Sequence, residues 1–231
     1  MTAELIRLDA APDLVERVHN VLLEAILDGS LGAGSRLTQE DLARQLAVSR
    51  QPVLQALRQL KAEGLVLGAS GRGLQVAPLD AQAIEHVYQV REALDVLAVR
   101  LAAKRRYVMD PGLLDRGRRA TRERHVAGLI DADADFHSAI YEASGNPLIA
   151  RSAHVHWRHI RRAMGAVLQK SAWRATVWDE HAAIAAAIRT GDADRAALLV
   201  SGHDQRASAF ITAQLGAPPR PAAPSDQGDP A

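Results

Sequence analysis

At 231 residues the chain suffices for one large domain or two modest ones, and a net charge of +1 excludes any global electrostatic pull toward nucleic acid or membrane. Apolar residues make up 48% of it but aromatics only 3%, so its core must be built from Ala, Leu, Val and Ile, a mix that favours packed helices. The absence of cysteine excludes disulfides, thiolate metal sites and a cysteine nucleophile, and suits a reducing cytoplasm. No run approaches the roughly 18 apolar residues of a membrane helix. Met1 to Ala11 carries Glu4, Arg7 and Asp9, unlike a signal peptide. The expected protein is soluble and cytoplasmic.

In chain order, residues 1–11 read as a flexible arm. From Asp13, the residues Leu14, Val15, Val18, Leu22, Ala25 and Ile26 recur at helical spacing until Asp28-Gly29-Ser30 breaks the pattern. Thr38 with Asp41 resembles a capping box opening a short helix that turns Leu42 and Leu46 inward. Ala47-Val48-Ser49 forms a tight turn, Ser49 is placed to cap the next helix, and Pro52 falls in its first turn. Val53, Ala56, Leu57 and Leu60 line the inner side of that helix, about 50–61, before Gly64 ends it. Leu65-Val66-Leu67 and Leu74-Gln75-Val76 flank Gly68 to Gly73 as a small β-hairpin. Beyond Pro78 the pattern is helical throughout, with six helices at about 81–106, 111–128, 130–144, 147–169, 173–190 and 192–215. Short connections between long helices imply an antiparallel bundle. The fold class is therefore mainly α: a winged helix-turn-helix at 12–78 with a β-hairpin wing, then a six-helix effector domain at 79–215. The Pro-, Ala- and Gly-rich tail, 216–231, is expected to be disordered.

The first half has the layout of a DNA reader. A helix fits the major groove and meets base edges with its N-terminal residues. With the apolar side of helix 50–61 turned inward, Arg50, Gln51, Gln55, Arg58 and Gln59 face solvent, and Arg72 sits in the wing between glycines. Residues 36–72 hold six Lys or Arg against three Asp or Glu, although residues 1–78 together hold eight against nine. Positive charge is thus segregated onto the segment that would face phosphates.

The second half brings together candidate metal ligands. Asp133 and His137, four apart, share a helix face. His181 lies ten residues before Gly191 and His203 twelve after it, so at 1.5 Å per residue both stand at nearly one level, about 15 and 18 Å from the turn. Three imidazoles and a carboxylate suit a divalent transition ion, Zn or Ni before others. His154 and His156 compete for the same level. Arg91 falls inside the apolar stripe Ile84, Val87, Tyr88, Leu94, Ala98 and Leu101, where a charge needs a partner. Asp95 is the plain one, and an incoming carboxylate shared with the metal is the sharper one. Arg161, seven residues after His154, is a second anion-binding candidate. The basic run from Lys104 to Arg124 reads as a solvated helix face.

Two stretches resemble a known family. The run Gly29-x-Leu31-x-x-Gly34-x-x-Leu37, with Leu42-Ala43-x-x-Leu46-x-Val48-Ser49-Arg50-x-Pro52-Val53-x-x-Ala56-Leu57-x-x-Leu60-x-x-x-Gly64-Leu65-Val66, resembles the signature of the GntR family of bacterial transcription regulators. The resemblance implies DNA contacts from Ser49, Arg50 and Gln51, with support from the start of helix 38–46 (Thr38 and Gln39) and from Arg72. Where the family commonly has Arg-Glu this chain has Leu54-Gln55, which removes a customary contact and leaves Gln55 to pair with adenine. Asp133-x-x-Phe136-His137, Ala143-Ser144-Gly145-Asn146-Pro147, Glu180-His181-x-x-Ile184-x-x-Ala187-Ile188-x-x-Gly191-Asp192 and His203 resemble the helical effector (FCD) domain of the FadR-type branch. In that branch the Asp and three His bind a divalent metal, often beside a small carboxylate, and a count of six helices resembles the VanR-like subgroup. The expected function is a homodimeric, ligand-responsive regulator, a repressor before an activator, binding a palindromic operator. A metallohydrolase built on the bundle and a regulator that senses the metal alone stand as alternatives.

Overall fold

The computed structural model describes residues 14–69, 73–168 and 176–216. The expected arm and all of the expected tail except Gly216 lie outside them. Helix α1 (Leu14–Leu27) leads through strand β1 (Arg36–Leu37) into α2 (Gln39–Gln45) and α3 (Arg50–Ala62), followed by β2 (Val66–Gly68) and β3 (Leu74–Val76). The three strands form one antiparallel sheet in the order β1-β3-β2, with Arg36 opposite Gln75 and Val66 opposite Val76. The expected hairpin thus gains a third strand, Arg36–Leu37, which ends just before the Thr38 cap of α2.

Helices α4 (Ala81–Lys104), α5 (Pro111–Arg122), α6 (Val126–Ser144), α7 (Pro147–Leu168), α8 (Val177–Thr190) and α9 (Ala193–Gly216) form the bundle. Helix α4 packs along α9 and also touches α6, α7 and α8, so it is the central helix. Two apolar cores result, one joining Val18, Leu22, Leu57, Leu60 and Val76, the other running from Ile84 to Ile211. Val53, Leu57 and Leu60 are fully buried, each worth about 1.5–3 kcal/mol of transfer from water.

Local chemistry explains most boundaries. Thr38 Oγ1 accepts from the Asp41 amide, as its spacing predicts, and Asp80 caps α4 through the Ala83 amide. Ser49 occupies the N-cap of α3 with extended backbone, but its side chain makes no cap bond. The break expected at Gly128 falls earlier. Helix α5 ends at Arg122, Arg124 turns left-handed at φ 54°, and α6 starts at Val126. Gly128 lies inside α6, where a Cβ would come within 2.6 Å of His125 Nδ1. It is a packing glycine, not a breaker.

Candidate functional site: a nucleic-acid interface and a buried His/Asp cluster

The first candidate site is the exposed side of α3. Val53, Ala56, Leu57 and Leu60 pin it to the core, leaving Arg50, Gln51, Gln55 and Arg58 exposed with Ser49 at its N-terminus. Thr38 and Gln39, at the start of α2, are half-buried. Arg50 lies 3.4 Å from Glu40 across the turn, which offsets part of its charge. Arg72 lies outside the described residues. Arg36 is exposed on β1, and a Cβ on Gly73 would come within 3.6 Å of its Nε. This cation at the wing's base was not among the sequence-predicted contacts; the only signal was a basic residue in a two-residue strand.

The second candidate site lies inside the bundle. Asp133 and His137 on α6, His181 on α8 and His203 on α9 are all buried, with one ligand atom of each within 4.8 Å of the others. His181 Nε2 stands 3.3 Å from both His203 Nε2 and Asp133 Oδ1. Two nitrogens bound at 2.0–2.1 Å to one tetrahedral ion would be about 3.4 Å apart.

The surrounding residues fix the rings. His137 Nδ1 donates to Asp95 Oδ2 at 3.0 Å and His203 Nδ1 donates to Glu180 Oε2 at 2.8 Å, so both present Nε2 with its lone pair to the centre. Phe136 stacks on His181 at 4.0 Å between centroids, and Trp178 meets the same ring edge-on at 4.6 Å. Burial pulls the His137 imidazole down to about 4 and lowers His203 as well, leaving both neutral at neutral pH, as a metal ligand must be. His137 Nε2 is buried and has no hydrogen-bond partner among the described residues, a costly state for a polar atom unless an ion takes it. The residues present therefore fit a divalent ion and form a buried cluster that could hold one.

Beside the cluster, Arg91 is 2% exposed and lies 3.2 Å from Asp95 and 3.6 Å from Asp204. The predicted plain partner, Asp95, is thus present. Asp204 was missed, because nothing in the spacing of α9 marks an acid beside a histidine as inward. Asp95 also accepts from Tyr141, whose hydroxyl takes a bond from Trp157 Nε1 at 3.3 Å. Burial opposes ionisation of Asp95, but His137 and Arg91 outweigh it and hold its carboxyl well below the usual range. Arg91 also lines a cavity of about 60 Å³ together with Asp133 and His203, and its Nη2 is buried without a hydrogen-bond partner among the described residues.

Arg161 is not brought here. It pairs with Asp131 at 2.8 Å and lines a separate cleft between α1 and α7. Its reference point, His154, is exposed, so the face the two were expected to share does not lead to the cluster. His156 is half-buried and likewise lies outside the cluster.

The comparisons agree with this architecture. Residues 14–76 match the gntR family of bacterial regulatory proteins and residues 86–206 match the FCD domain. The chain belongs to the GntR family of transcription regulators, in the FadR-type branch that carries an FCD domain. It is 28% identical over 179 residues to the Nta operon transcriptional regulator of Aminobacter aminovorans, covering 75% of this chain and 82% of that one. The uncharacterized HTH-type transcriptional regulator YdhC of Bacillus subtilis is 30% identical over 95 residues, 41% of this chain, and that match spans only 42% of the relative's length. The solved structure of McbR/YncC from E. coli shares the fold with a TM-score of 0.72 at 22% identity, covering 87% of this chain and 98% of that one. The family is one of DNA-binding regulators, not enzymes, which removes the metallohydrolase alternative. Among the described residues no helix is long and apolar enough to cross a membrane.

Proposed function

We propose that this DNA-binding regulator is a repressor that holds a palindromic operator as a homodimer and releases it when a small carboxylate binds beside a divalent metal in the bundle. Two identical readers need two half-sites about one helical turn apart. The proposed reader is the segment 12–78, contacting DNA through Thr38, Gln39, Ser49, Arg50, Gln51, Gln55, Arg58 and Arg72. The proposed sensor is 79–215, a six-helix form of the VanR-like kind.

The observation that carries this reading is the cavity itself, which is lined by Asp133 and His203 of the cluster and by Arg91, whose buried Nη2 has no hydrogen-bond partner among the described residues. Asp133, His137, His181 and His203 would hold zinc or nickel. A bound ion supplies a Lewis-acid point for a carboxylate oxygen. Arg91 orients the acid by one N–H, and Trp178 and Phe136 keep water from the far side of His181. Helix α7 lines the cavity with Met164 and Leu168, and the same helix grips the reader through Arg158, His159 and Arg162. A ligand that moves α7 therefore acts on the reader directly. Coupling of this kind is typically about 1–3 kcal/mol, roughly 5- to 150-fold in operator affinity.

The test is metal content by elemental analysis of the wild type and of His181→Ala, followed by operator binding of the metal-loaded protein with and without small carboxylates. About one equivalent, lost in the variant, is expected. No metal in either protein defeats the site. Operator affinity unchanged by every acid that binds defeats the mechanism.

A further inference from the structure

We infer that the acid taken by this cavity is a short-chain monocarboxylate with a plain hydrocarbon body, an inference that rests on reading the cavity as a carboxylate site. Its size is the first reason. The cavity measures about 60 Å³, less than half of the roughly 150 Å³ that accommodates benzene. A body of a few carbons fills it, and most of a sugar acid or a polycyclic acid would have to extend beyond it.

The distribution of charge is the second reason. Beyond Tyr88, Arg91, Asp133 and His203, the lining is apolar: Leu129, Met164, Leu168, Trp178, Phe210 and Ile211 provide most of it. Arg91 is the only cation on the lining among the described residues, and its charge is already met by Asp95 and Asp204. It offers an acid one N–H donor and no surplus positive charge. A divalent ion with Asp133 beside it would carry one net positive charge, enough for one carboxylate. The second carboxylate of a diacid would be stripped of water against Leu129, Met164 and Phe210 with no second cation among the described lining residues to meet it, and a buried unpaired charge is among the costliest arrangements a site can make. The cavity therefore selects against diacids, although its anion-binding end would accept one carboxylate of either kind.

The wild-type chain loaded with zinc is titrated with butyrate and with succinate, which match in carbon count and differ by one carboxylate. Binding is read by calorimetry and by tryptophan fluorescence, since Trp178 lines the cavity. Butyrate is expected to bind at least about 100-fold more tightly than succinate. Met164→Trp, designed to fill the cavity, should abolish butyrate binding while keeping its zinc. Succinate binding as well as butyrate overturns this inference and leaves the carboxylate reading standing. Undiminished butyrate binding in zinc-retaining Met164→Trp overturns it as well, by placing the acid elsewhere. If neither acid binds a protein that holds its zinc, the carboxylate reading itself fails, and this inference with it.

Discussion

Arg158 on α7 places its Nη1 2.6 Å from Oε2 of Glu63, the residue that caps the C-terminus of α3. The same carboxylate meets His19 Nε2 of α1 at 3.1 Å, and the Glu63 carbonyl accepts from His159 Nε2 at 3.0 Å. Arg162 donates to the carbonyl of Ala77, just after β3. One residue at the end of the proposed DNA-reading helix is thus held by the helix that forms a wall of the cavity beside the His/Asp cluster.

Glu63→Ala should therefore uncouple the two halves. Operator affinity without ligand is expected to stay within about threefold of wild type, while the ligand-induced change falls toward none, a loss on the scale of the typical 1–3 kcal/mol coupling. Arg158 and His19 lose a shared acceptor, so stability should drop by about 1–3 kcal/mol. Binding isotherms with and without ligand, on both proteins, provide the check. A full response in Glu63→Ala would mean that α7 signals by another route.

The contact at His159 makes stability depend on pH. Burial lowers this imidazole below the usual value, the Glu63 carbonyl works against that, and Arg162 and His156 reinforce it. In the unfolded chain the group titrates near the ordinary value of about 6.5. Below that pH the unfolded state binds more protons than the folded one. The stability held by neutral His159 is thus complete above about pH 6.5 and is lost as the pH falls toward its lowered folded value. Urea unfolding at pH 7.5 and 5.5 should show the wild type losing more stability than His159→Gln, in which an amide replaces the ring. Equal losses would show that His159 keeps its unfolded-state affinity for protons.

The sequence made the metal-ligand candidates readable because two regular rules sufficed, an i,i+4 face on α6 and matched heights across the Gly191 turn. The residues that orient them were harder to see. Asp95 was visible as the partner of Arg91 on one helix, but its bond to His137 needs the packing of α4 against α6. Glu180 stood beside His181 in the motif, yet its bond reaches across to His203 on another helix. Asp204 and Glu63 act wholly through tertiary contacts, and no periodicity reports those. Arg161 shows the converse hazard, since a spacing measured from an exposed histidine selects a face turned away from the cluster.

Asp95 is the residue on which the largest single effect should fall. It serves Arg91, His137 and Tyr141 at once. Asp95→Asn leaves a buried guanidinium short of a counter-charge, and breaking such a pair typically costs about 3–5 kcal/mol. It also weakens the acceptor that orients His137, for which a loss of about 10- to 100-fold in metal affinity is usual. Chemical unfolding and competitive zinc titration measure the two separately. Unchanged zinc affinity in a folded Asp95→Asn protein would argue that His137 is oriented without it.

Gly117 is a packing glycine that the sequence does not mark. It lies buried on α5, where an added Cβ would overlap the Trp178 indole, which in turn packs on His181. Gly117→Ala gains about 1 kcal/mol of helix propensity, but overpacking a rigid ring costs about 1–3 kcal/mol. A net loss of stability is expected, with weaker zinc binding because Trp178 moves against His181. A stabilised variant with unaltered zinc affinity would mean that the indole shifts without cost.

The turn between α2 and α3 permits a change of opposite sign. Ala47 is exposed and sits at φ 52°, in the left-handed region that a Cβ disfavours by roughly 1–2 kcal/mol. Ala47→Gly relieves that strain, while the added freedom of glycine in the unfolded chain takes back part of the gain. The net expectation is a gain of about 0.5–1 kcal/mol, which for a chain of this size raises Tm by about 2 °C. Because Gly accepts the same backbone angles, the angle between α2 and α3 should be kept and operator affinity should not change. Arg124→Gly, at φ 54° in the α5–α6 turn, provides a second test of the same physics far from the reader. A gain at Arg124 with a loss at Ala47 would show that the methyl group of Ala47 makes a contact the turn depends on, and the strain argument would then fail at that site.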